Sequence, residues 1–302
     1  MARMTDWRAV AALMLLLPLS GLAATPGHYV AAVNKARAER VDQLKRADGY
    51  LTLTASGWLQ PGANSVGSAE DNRFTVPGAP AHLGTLQLAV DGKVSLHLIE
   101  TRGISIDGQL ANAVNVLRTQ GPDGKQQPSR VSFGSSYLYV IENGMQRGMR
   151  AKNNAAPLRT HFPGFRYFPI DPSWRIEADW VPFATPHVLK MAYVTGTVSD
   201  TPIAGKAVFH RDGHTYELLP IDEDGRLFFV FSDRTAGRLT YGGARFLYAE
   251  APKDGKVLLD FNLAENPPCA ITPHVVCPLA PPENRLKLPV TAGELKFLDG
   301  EH

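Results

Sequence analysis

The residues of this chain best suited to chemistry are gathered in its last third. Cys269 and Cys277 stand with seven residues between them in ENPPCAITPHVVCPLAPPENRL, and His274 lies in the same loop. Three chemistries are open to this trio. The first is a disulfide, which would stabilise so short a loop by roughly 2.5 kcal/mol through chain entropy. A metal site from Cys269, His274 and Cys277 is the second, but it lacks a fourth ligand and the short C-x-x-C spacing of zinc sites. The third is a Cys269 nucleophile activated by His274, for which no orienting partner stands nearby.

Around this loop lie polar residues with no evident packing purpose. Tyr241, Arg245, Asp260, Asn262, Glu283 and Asn284 form the candidate ligand-binding set, with Asp233 and Arg285 beside them. Tyr, Arg and Asn combine aromatic surface with directional donors, the mixture that small-ligand pockets use. Asp260 and Asn262, two apart at a strand end, are expected to leave the same face. Asp260 or Glu283 is the candidate general acid or base. The competing reading is structural: a hydrogen-bond and ion-pair network that pins a long proline-stiffened loop.

Familiar catalytic patterns are missing. The chain has no H-E-x-x-H, G-x-S-x-G, phosphate-binding loop or dinucleotide fingerprint. His210 and His214 straddle the Arg211-Asp212-Gly213 turn and so share no helical face. Gly242-Gly243 precedes no helix and reads as a turn. These observations assign no catalytic residue, no metal and no cofactor. With 31 basic and 29 acidic residues and no basic cluster, nothing points to nucleic acid. The expected partner is an unidentified small molecule or protein.

The elements that must position these residues can be read in order. Arg3 and Arg8, the apolar run Val10 to Leu19 and the small residues Gly21 to Ala24 have the form of a signal peptide over 1–24. That run is short for a membrane span and is interrupted by Pro18. The expected mature chain carries no integral membrane segment and is periplasmic or secreted. A helix is expected within 25–48, with Val30, Val33, Val41 and Leu44 on one face and Lys35, Arg37, Glu39 and Arg40 largely elsewhere. It reads as a brace across the β-domain that follows, and Gly49 stops it.

From residue 49 to 155 short alternating segments (LTLTAS, TLQLAV, KVSLHLI, SYLYVIE) predict strands, and Asp91-Gly92 predicts a hairpin. The order PGANSVGSAEDNRFTVPGAPAHLGTLQL, hairpin, IDGQ, VSFGSSYLYVI resembles a forkhead-associated domain, which implies a β-sandwich. It departs where that family reads phosphothreonine. Ser68 stands where an Arg follows the first-loop Gly67, and Ala79 where a Ser precedes His82 by three. The resemblance therefore implies a scaffold without phosphopeptide recognition.

Pro157 to Pro172 reads as a packing strip between two domains, although His161, Arg166 and Asp171 could belong to a site. In 156–302, Trp174, Ile176, Ala178 and Trp180 alternate with charges, and HVLKMAYVTGTV, GKAVFH, TYELLP and LFFVFSD follow as strands. LFFVF is apolar on both faces and is expected at the centre of a sheet. The fold class is mainly β: an N-terminal helix, a forkhead-associated-like sandwich, and a second antiparallel β-domain, sandwich or barrel, with a long Pro-rich loop.

The order and spacing of FPGFRYFPIDPSWRIEADWVPF, FSDRTAGRLTYGGARFLY, LLDFN, NPPCAITP and CPLAPPENRL resemble a bacterial and archaeal family catalogued as domain of unknown function 1684. That resemblance implies no activity. The chain departs from it where the family reads Asn-Arg-Ala-Tyr-Asn-Pro-Pro-Cys: here Leu263, Ala264 and Glu265 precede Asn266, and His274 replaces a usual aromatic. Two functions fit these readings. One is a periplasmic ligand- or protein-binding module. The other is an enzyme of unrecognised type, a hydrolase among the options, that uses carboxylates of the C-terminal domain.

Overall fold

The structure is a computed structural model and describes residues 26–121 and 125–297. The expected signal peptide lies outside the described residues. Helix α1 spans Pro26–Leu44, and the chain leaves it through a turn in which a Cβ on Gly49 would collide with the Leu44 carbonyl.

Residues 53 to 153 form two sheets around one core. One sheet runs 53–58, 146–153, 136–143, 131–133, 104–106, 109–110, and the other 74–75, 62–67, 84–88, 94–98, 114–117. Inward residues of both, among them Val66, Leu86, Leu96, Val131, Leu138 and Met149, meet in a single cluster. The Asp91-Gly92 hairpin joins Gly84–Leu88 to Val94–Leu98 in the register Leu88 to Val94. The pair Ser136–Asn143 and Gln146–Asn153 matters most below. Leu138, Val140, Met149 and Ala151 enter the core, so the intervening Tyr137, Tyr139, Arg150 and Lys152 leave the opposite face.

The second half holds a four-stranded sheet (214–218, 198–211, 175–192, 256–260) and a three-stranded sheet (221–223, 226–231, 245–249). Among the described residues no sheet closes into a barrel. As its composition requires, Arg226–Phe231 is the central strand. Leu227, Phe229 and Phe231 enter one core while Phe228 and Val230 enter another. Trp174, Ile176, Ala178 and Trp180 share a face as expected.

Two expectations need correction. The segments around 174–180 and 187–192 are one 18-residue strand, Arg175–Ala192, because the irregularity between Pro182 and His187 bends the ladder without ending it. Helix α1 does not brace the sandwich that follows it. It lies on the second half: Tyr29 donates to Asp260 at 2.8 Å, and Arg40 pairs with Glu265 and Glu294. Its docking face is Tyr29, Val33, Arg37, Arg40 and Leu44, so Arg37 and Arg40 belong to the contact face and not to solvent. Two arginines could join an apolar stripe because carboxylate and carbonyl partners wait for them.

Candidate ligand-binding cavity

A cavity of about 940 Å³ opens where α1, the outer face of the first sandwich and the second half meet. Its sandwich wall is built by a two-residue alternation. Tyr139 stands opposite Arg150 and Tyr137 opposite Lys152 across the ladder, with the two tyrosine rings 6.1 Å apart. Arg150 and Lys152 both line the space. Lys152 is buried and donates to the Asp48 carbonyl. Burial lowers its pKa, Asp48 opposes that, and the neighbouring Arg150 and Arg130 charges lower it further.

The facing wall is aromatic. Phe228 and Tyr248 are directly paired across their ladder and stack with ring centroids 4.7 Å apart, while Phe246 meets Phe228 edge-on at 4.8 Å. Burial raises the Tyr248 pKa, and the neighbouring Glu223 and Glu265 carboxylates raise it further. Tyr50, in the turn after α1, lies between the walls, close enough to feel Arg150 on one side and Glu223 on the other.

Along α1 the lining becomes ionic. Arg40 binds Glu265 at 3.0 Å and Glu294 at 2.7 Å. Glu294 is 2% exposed and its other oxygen accepts from the Asn266 backbone and side chain at 2.7 and 3.0 Å. Glu265 is held by reciprocal 2.9 Å backbone bonds to Phe246, and its side chain is 20% exposed. Burial raises its pKa to about 7; Arg40 pulls it down, and Glu294 pushes it up. Near neutral pH Glu265 is thus a carboxyl that can donate a proton or a hydrogen bond.

The six residues expected to bind a ligand do not converge. Arg245 is 1% exposed and buried in the core, clasping Asp233 at 2.6 Å and the carbonyls of Ala292 and Val290 at 2.5 and 3.0 Å. Asn284 is fully buried and pins its loop by bonds to Leu219 N, Leu219 O and Val230 O. Glu283 is exposed beside it. Tyr241 faces Cys269, with its hydroxyl 3.9 Å from the sulfur, and burial pushes its pKa up to about 12. Asp260 and Asn262 do meet, at the Tyr29 hydroxyl: Asn262 donates to it and it donates to Asp260. Of the six, Asn262 alone is among the residues lining the cavity.

The cysteine loop resolves in part. Both sulfurs are unbonded, and Cys277 Sγ accepts from the Cys269 amide at 3.2 Å. Contact with Cys277 lowers the Cys269 pKa, and contact with Cys269 raises that of Cys277. Tyr241, not His274, is the polar neighbour of Cys269. Among the described residues no three His, Cys, Asp or Glu side chains gather as a metal site. His210 bonds Thr215 and His214 the Asp212 carbonyl at an exposed hairpin end. The Gly67 to His82 loop closes on itself through Ser68 and Ala69 amide bonds to Pro80 and Ala81 and contributes nothing to the cavity.

Sequence reasoning missed Arg40, Arg150, Lys152, Tyr248 and Glu265. Two signals were there to be read. Tyrosines and cations at every second position of SYLYVIE and RAKN give one sheet face an aromatic and cationic character. Glu265 sits where the related family carries an aromatic.

Fold and cavity together define a mainly β protein with a polar-aromatic pocket lined by α1 and by strands of several sheets. The chain belongs to the family described as protein of unknown function (DUF1684), whose match covers residues 160–295. It is similar to an uncharacterized protein of Haloarcula marismortui, solved in solution by NMR. That protein is 34% identical, with 47% of this chain and 81% of the other covered and a TM-score of 0.39. No curated protein matches. The likeness of residues 49–155 to a forkhead-associated domain gains no support from these matches.

Proposed function

We propose that this is an exported binding protein of two β-domains, 49–155 and 156–302, whose junction cavity takes a small molecule. The cavity carries the reading: about 940 Å³ lies within the range of ligand sites, and its walls mix stacked aromatics with a few fixed polar groups. Export is supported by the leader-like 1–24 segment, and in an oxidising compartment the adjacent Cys269 and Cys277 would pair. The test is a small-molecule screen by ligand-observed NMR against wild type and Leu263→Trp, which fills the cavity mouth. Hits that compete with one another and vanish in the variant are expected. An absence of hits, or hits indifferent to the tryptophan, would overturn the reading.

Glu265 favours a second reading, an enzyme. Asp260 is engaged by Tyr29, Asn262 and Arg175, and Glu283 is outside the cavity. A general acid or base would therefore be Glu265, which faces the cavity with a pKa near 7. Turnover in a hydrolase panel that disappears in Glu265→Gln would select this reading. Turnover that survives the substitution would exclude it.

A further inference from the structure

Resting on that reading of the cavity, we propose that its ligand is a small organic acid with an apolar body. The anionic group is held at Arg150 and Lys152, and the body lies against Phe228 and Tyr248.

The charges on the two sides are unequal in how they are satisfied. On the α1 side Glu294 and Glu265 share Arg40, so each of these two carboxylates has a donor. On the sandwich side the balance is reversed. Among the described residues no hydrogen bond or ion pair engages the Arg150 guanidinium. Its neighbour Lys152 reaches only a backbone carbonyl. A third cation, Arg130, lies 3.6 Å over the Tyr137 ring on the same face. Asp48 is the acidic group near Lys152, and its carboxylate is already bonded to Arg46 at 3.2 Å and faces solvent.

A buried lysine flanked by two arginines holds its charge at a cost, as the downward shift of its pKa records. An anion placed between Arg150 and Lys152 removes that cost and completes charge-assisted hydrogen bonds with both. The geometry of the ligand's remainder follows from the facing wall. Phe228 and Tyr248 stack on one another and Arg226 lies over the Tyr248 ring at 5.1 Å, so they line the cavity with apolar ring edges, a surface that suits an apolar body.

The experiment is a charge series on one body: 2-naphthoate, 2-naphthamide and 2-naphthylmethylammonium, titrated calorimetrically into the full chain at pH 7.5. The expected order is acid, then amide, then ammonium, with the acid about tenfold tighter than the amide and weakened by salt. Arg150→Gln is expected to weaken the acid about tenfold while leaving the amide unchanged. Arg150→Lys, which keeps the charge, is expected to retain the preference for the acid. Equal affinity for acid and amide, or an Arg150→Gln protein that still prefers the acid, would overturn the anion assignment while leaving the cavity reading in place. Binding of none of the three would overturn both. Thermal unfolding of each variant confirms that the fold is intact.

Discussion

Glu265 shows how strongly position outweighs residue type. Its backbone is fixed to Phe246 by two hydrogen bonds, and its carboxyl is covered by α1 on one side and faces Glu294 on the other. The folded pKa, about 7, is above the ordinary value of 4.5. In that window the folded state therefore binds more protons than the unfolded chain. The contribution is present at low pH and is lost as pH rises from the unfolded towards the folded pKa. The charges facing Glu265 are Arg40, Glu294, Arg226 and Glu223. Urea unfolding from pH 4.5 to 7.5 is expected to show stability falling as pH rises. Glu265→Gln should flatten that slope, with a difference on the order of 2 kcal/mol at pH 7.5. An unchanged slope in the variant would refute the assignment. Arg245 gives the opposite case. Buried against Asp233, it is a structural clasp, so Arg245→Ala should cost about 3–5 kcal/mol by stranding the Asp233 charge. Naphthoate affinity should not change, which separates a core role from a binding one.

At the scale of elements, α1 is held by polar contacts more than by its apolar face. Val33 and Leu44 are its buried hydrophobics, while Tyr29, Arg37 and Arg40 make the specific bonds. Arg40→Ala leaves two carboxylates without their shared cation. Hydrogen exchange is expected to accelerate across 26–44 while the strands of 136–153 stay protected. Uniform exchange with no change in α1 would contradict this account. The strands were in part legible in the sequence because alternation reports burial: LTLTAS, TLQLAV, KVSLHLI and SYLYVIE read as strands and LFFVF as one buried on both faces, while the strand 146–153 was not read. The turns were legible where chemistry forces them, as at Asp212-Gly213 and Asp224-Gly225, where both residues adopt positive φ. What α1 packs against was not legible. Its docking face carries arginines, and their partners lie more than two hundred residues away.

At the scale of the whole molecule, the same limit explains why the six candidate residues do not converge on one cavity. Polar residues in the last third looked functional because they had no local partner. Asn284 and Arg245 find theirs in distant backbone carbonyls, and so they pin loops. The cavity draws on α1, a hairpin near residue 150 and strands near 228 and 248, a combination that no single stretch announces. The cysteines add an independent check on where the protein works. Material recovered after export is expected to have an intact mass about two units below the reduced value and no thiol titratable in denaturant. Two free thiols would contradict the exported, oxidised reading. The central claim, that the junction cavity is the binding site, is tested most directly by a crystal structure with 2-naphthoate. The account predicts density for the ring system against Phe228 and Tyr248 with its carboxylate at Arg150 and Lys152. An empty cavity, or the ligand seated against the Gly67 to His82 loop instead, would contradict it.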